Sequence, residues 1–203
     1  MLAPVIQDET SSRPPRIEPA PAIGNRPDVQ ELLDQAGALT GDAANIFRTL
    51  ARNPGVFRKW MPFGGKLLIG SKLPAREREL LILATAWECG SEYEWGQHIR
   101  IGRDAGLTDE EMARIAQGRS ATGWSDQDQV LLDAAASLCR DHALADDTWE
   151  SLAERFDQQQ LIEVTLLVGH YAMLAGFLNS TGVQLDPGLD RFPTDQTAGD
   201  RIP

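Results

Sequence analysis

The chain of 203 residues is 42% hydrophobic and 24% charged, which is the composition of one globular domain with tails rather than two full domains. Thirty acidic residues against 19 basic ones give a net charge of -11. That sign repels phosphate backbones and anionic lipid heads, so nucleic-acid and membrane-surface partners are not expected. Two cysteines, Cys89 and Cys139, make neither a disulfide framework nor a four-ligand zinc site, and no metal site is expected. The expected compartment is the cytoplasm, since residues 1–21 lack the basic and apolar regions of a secretory signal. The apolar run from Val164 to Leu178 is shorter than the roughly 20 residues of a bilayer crossing and reads as a buried helix.

In chain order, residues 1–24 hold five prolines and almost no apolar periodicity, and they read as an N-terminal arm. Residues 25–186 read as one all-α domain. Asp28 is placed to open the first helix and Asp42 the second, and Pro54 precedes a third over 55–70. Pro74 starts ARERELLILATAWE, whose second half is apolar on every side and therefore buried. Ser91 with Glu94, and Thr108 with Glu111, have capping-box spacing at the next two helices. Ser125, Asp147 and Asp157 with Gln160 open the last three, and the final helix stops at Gly182. No segment alternates convincingly as a strand. The stretches beginning at Glu79 and Glu163 echo each other faintly, leaving a helix-pair repeat open. Residues 187–203 read as a tail that stays loose or drapes over a neighbour.

Chemistry concentrates in RERELLILATAWECGSEYEWGQHIRIGR, residues 76–103. Glu94 and His98 are four apart and share a helical face, so a carboxylate there can orient an imidazole for acid–base work. Glu79 lies among leucines and isoleucine, where a carboxylate is costly to ionise unless paired. A structural account stands beside each of these: Ser91 with Glu94 as a cap, Glu79 as a partner of Arg76 or Arg78, and Tyr93 and Trp95 as packing. Cys139 reads as a small core residue, and His142 as a helix-end residue. His170 and Asn179 interrupt an apolar helix and must find partners, in a pocket or in the backbone.

The spacing of Glu79, Ser91, Glu94 and His98 resembles the E-x11-C-x2-C-x3-H pattern of the carboxymuconolactone decarboxylase family, which includes the alkylhydroperoxidase D-like peroxidases. Ser91 and Glu94 stand where the peroxidase branch carries its two thiols, so the resemblance is to the decarboxylase-like branch. It covers about residues 30–186 and implies an all-α fold, a trimeric or hexameric homo-oligomer, and catalysis without metal or organic cofactor. It also implies a lyase acting on a small cyclic carboxylic acid or lactone. His98, Glu94 and Glu79 would then be catalytic, and Ser91, Arg76, Trp95 and His170 would bind the substrate, with Arg78 an alternative to Arg76 for its carboxylate. Two other readings remain open: a non-catalytic small-ligand-binding or assembly protein of the same fold, and a peroxidase-like activity through Cys89.

Overall fold

The computed structural model describes residues 14–21, 27–40, 44–118 and 121–193. Among these residues all regular secondary structure is helical: α1 (Pro27–Thr40), α2 (Asn45–Leu50), α3 (Pro54–Leu68), α4 (Ala75–Glu88), α5 (Glu92–Asp104), α6 (Asp109–Ile115), α7 (Asp126–Asp141), α8 (Asp146–Ala153) and α9 (Gln158–Thr181). The boundaries follow local chemistry. Capping boxes form at Thr108/Glu111 and Asp157/Gln160, and Ser125 accepts from the Asp128 amide. Gly182 closes α9 in the left-handed region at φ 71°. His142 adopts φ 57° to end α7, a conformation unusual for a residue with a Cβ.

Several boundaries differ from the sequence reading. α1 begins at Pro27, so Asp28 lies in its first turn, and the cap expected at Asp42 falls outside the described residues. Asn53 caps α3 through its side chain. Ser91 is the N-cap residue of α5 but makes no capping hydrogen bond, and both Glu94 carboxyl oxygens are buried without a partner; the expected box is absent.

α4 is the hub. Leu80 to Ala86 are all buried because the helix is packed by α5, α7 and α9. This forms one apolar cluster, which includes Trp95, Leu131 and Leu167. A second cluster gathers α1, α2 and α3 with Tyr93, Leu174 and Leu178. α9 serves both; it is long and apolar enough to cross a membrane by length and composition, yet 56% of that stretch is packed inside. It runs unbroken from Glu163 to Thr181, and Glu163 binds Ser71 and the backbone of Lys72, whereas Glu79 binds His98 and Arg78.

The described parts of the two end segments, residues 14–21 and 187–193, pack on the domain, which their composition does not suggest. Residues 16–20 are pinned on their own domain, with the Arg16 amide donating to Thr181 O (2.8 Å) and the Arg48 and Arg52 side chains donating to Ala20 O and Glu18 O. The tail expected from 187 onward is packed as far as Phe192, whose ring meets Trp87 and Trp95 at 5.0 and 5.4 Å. Its anchor is Asp186, which accepts from Tyr93 Oη, Gln97 Nε2 and the Asn45 amide. Gly96 makes room for it, since a Cβ there would lie 2.7 Å from Asp190 O.

Candidate active site

A cavity of about 480 Å3 lies at the seam of the two apolar clusters, where α2, α3, α5 and α9 converge on the start of α4. Ile46, Phe47, Trp60, Met61, Leu68, Tyr171 and Leu174 form its apolar wall. Arg78, Tyr93, Glu94, Gln97, His98 and His170 supply its polar groups. An apolar hollow with a few convergent polar groups is the usual form of a small-molecule site.

At its floor, His98 Nδ1 lies 2.7 Å from Glu79 Oε2, and Arg78 Nε donates to Glu79 Oε1 at 3.0 Å. Glu79 itself is completely buried. Burial pushes its carboxyl up, but the charge and hydrogen bond of His98, joined by those of Arg78, outweigh this and hold it below the usual range. Glu79 therefore stays ionised. With Nδ1 taken by Glu79, Nε2 is the His98 nitrogen left for a ligand. The Tyr171 ring meets the imidazole edge-on at 5.0 Å.

Glu94 behaves oppositely. It sits one helical turn before His98, lines the cavity and is 2% exposed. Burial raises its pKa well above the usual carboxyl value, and the nearby Ser91 hydroxyl offsets this only in part. Burial thus favours the neutral acid at Glu94, whereas its partners favour the anion at Glu79. Pairs of carboxyl groups whose environments separate their pKa values mark acid–base assignments.

His170 stacks on Trp60 (centroids 5.7 Å apart, 16° between planes), and burial lowers its pKa to about 4, so it is neutral. Its Nδ1, the Trp60 indole N–H and both Glu94 oxygens are buried without partners, and all three residues line this cavity. Buried polar groups are normally satisfied, so such a concentration implies that something else completes them.

Of the sequence candidates, the cavity gathers His98, Glu94 and His170, with Glu79 directly behind His98. Arg76 is not there. It is tied to Asp128 (2.7 Å) and Glu111, and the arginine that lines the cavity is Arg78. The two are two positions apart on α4 and therefore point to different sides. Trp95 is in the core between Trp87 and Phe192, and Ser91, though fully buried, does not line the cavity. Asn179 donates to Cys89 O instead of entering the pocket. Trp60, Gln97 and Tyr171 were not anticipated; they become neighbours only through the α3–α5–α9 packing, and no local motif marks them.

The comparisons agree with this architecture. The sequence model of the carboxymuconolactone decarboxylase family matches residues 54–137. Among solved structures, a peroxidase-related protein from Silicibacter sp. TM1040 aligns with TM-score 0.76 at 17% identity, covering 91% of this chain and 100% of its own. The alkylhydroperoxidase AhpD core of a peroxidase-related protein from Ralstonia eutropha JMP134 aligns at 0.72 and 20% identity, covering 84% and 93%. The debrominase Bmp8, solved with 2,3,4-tribromopyrrole, aligns at 0.69 and 12%, covering 84% and 91%. No curated protein matches the chain in sequence. The fold is the all-α fold of these alkylhydroperoxidase D-like structures. Residues 54–137 carry the sequence pattern of the carboxymuconolactone decarboxylase family, and the fold around them is consistent with it.

Proposed function

We propose that the chain is a lyase that uses its own side chains for acid–base chemistry, decarboxylating or otherwise moving a proton on a small cyclic carboxylic acid or lactone. The observation that carries this reading is the neutral, unpartnered Glu94 beside a His98 that is held by an ionised Glu79. Arg78 holds the substrate carboxylate or a neighbouring oxygen, and the aromatic wall takes the ring. Loss of CO2 leaves its electron pair on an enolate-like carbon, and Glu94 delivers the proton that quenches it. His98, through Nε2, stabilises the developing oxyanion or returns a proton to Glu94, with Glu79 balancing the imidazolium. Glu79 is then a positioning residue.

A substrate in the cavity would also give Trp60, His170 and Glu94 the partners they lack. Bmp8 binds a halogenated pyrrole in the same fold, which supports a small ring as the ligand shape. The test is CO2 release or ring-proton exchange on γ-carboxymuconolactone and a panel of cyclic acids, with His98→Ala as the control. A ligand that raises Tm without being consumed would support the non-catalytic binder instead. Cys89 does not line the cavity, which weighs against peroxide chemistry there through that thiol.

We also propose a closed homo-oligomer, trimer or hexamer. Ile162, Leu166 and Met173 project from one face of α9 with 45–58% of their surface exposed, and Phe63 of α3 and Ile69 just after it add to the uncovered apolar surface.

A further inference from the structure

Cys89 and Cys139 stand 50 residues apart in sequence, yet their Sγ atoms are 3.8 Å apart. The sequence placed Cys139 in the core; it is in fact only partly buried, as is Cys89. These are the only two cysteines in the chain. Cys89 is the C-cap residue of α4, and Cys139 lies in the last turn of α7, the helix packed most extensively on α4. The backbone at Cys89 is held from both sides, its amide donating to Thr85 O (2.9 Å) and its carbonyl accepting from Asn179 Nδ2 (3.0 Å). Two thiols in van der Waals contact are already near the separation from which a disulfide can close.

We propose that Cys89 and Cys139 form a reversible dithiol–disulfide couple, oxidised by small-molecule disulfides, outside the cavity. The contact with Cys139 lowers the Cys89 pKa against burial and the charge of Glu88, whereas Cys139 is pushed up, so Cys89 is the attacking thiolate. It displaces one thiolate from the small disulfide, forming a mixed disulfide on Cys89. Deprotonated Cys139 then attacks Cys89 Sγ, the mixed S–S bond breaks, and the second thiol leaves. One disulfide is reduced to two thiols as the protein loses two hydrogens, and an external thiol reverses both steps. The bridge ties the end of α4 to the end of α7, and Cys89 lies three residues before the start of α5, which carries Glu94 and His98.

The test is intact-mass analysis after incubation with millimolar oxidised glutathione. The wild type should lose two hydrogens, its alkylatable thiols should fall from two to none, and Tm should rise on the order of 5–10 °C. Cys139→Ser and Cys139→Ala should instead accumulate the Cys89–glutathione adduct at least about tenfold above wild type, since the resolving thiol is gone. A wild type that remains a dithiol, accumulates the adduct as the variants do, or links between chains would overturn the proposal. None of these readouts depends on turnover in the cavity.

Discussion

Glu79 and His98, 19 residues apart, are joined by a 2.7 Å hydrogen bond that ties the buried hub helix α4 to the site helix α5. Arg78 closes the other side of the same carboxylate, so one fully buried anion is matched by two partners. Removing the anion leaves Arg78 and His98 with uncompensated buried polarity. Glu79→Leu should therefore cost about 3–5 kcal/mol in urea unfolding at neutral pH. A loss below about 1 kcal/mol would mean that the triad does not hold the corner together.

Glu94 should trade stability for function. Its folded pKa lies above its unfolded one, so its contribution is complete below the unfolded carboxyl value and is lost as pH rises through the folded value. Glu94→Gln has no such loss. The urea midpoint of Glu94→Gln relative to wild type should therefore climb from pH 4 to pH 8, while any turnover is lost. A flat difference across that range would show that Glu94 is ionised in the folded protein.

His170 acts in the opposite direction. Its pKa is depressed from 6.5 to about 4 by burial, so the stability it contributes is present above 6.5 and is lost as pH falls toward 4. His170→Phe keeps a ring on Trp60 and removes the titration. Its urea midpoint should fall less than that of wild type between pH 6.5 and 4.

The fold could be read from the sequence wherever the signal was local. The capping boxes at Thr108 and Asp157, the all-round apolar half of α4 and the stop at Gly182 each specify their own element, and all formed. The reading failed where one residue answers to a distant partner. Ser91 and Glu94 have capping-box spacing, yet Glu94 faces the cavity. Arg76 and Arg78 are indistinguishable by composition, and only the position of Asp128 and Glu111 on one side and Glu79 on the other separates them. The proline-rich ends looked unable to order, but Asp186 and Phe192 find partners on α4 and α5 that local patterns do not reveal. Cys89 and Cys139 met for the same reason.

The docked C-terminal segment has its own test. Gly96→Ala would place a Cβ 2.7 Å from Asp190 O and 3.0 Å from Leu185 Cδ2, so the backbone over α5 must move. We expect a loss of about 1–3 kcal/mol and faster hydrogen exchange over residues 185–192. Unchanged exchange there would show that the segment does not depend on that contact.

Assembly is checked by light scattering, which should give a multiple of the 22.3 kDa chain mass. Leu166→Glu, on the exposed face of α9, should shift the distribution toward smaller species with helix content unchanged. A monodisperse 22.3 kDa particle at micromolar concentration would contradict the oligomer.

The most direct test of the central claim is the pH profile of kcat/KM for decarboxylation or proton exchange on the cyclic-acid panel, measured for wild type, Glu94→Gln and His98→Ala. A neutral Glu94 acting as the acid predicts that wild-type kcat/KM falls as pH rises through its elevated pKa. Both variants should lose about 100-fold or more across the profile. Turnover by Glu94→Gln equal to that of wild type, or a wild-type rate that climbs through the alkaline limb, would contradict the assignment.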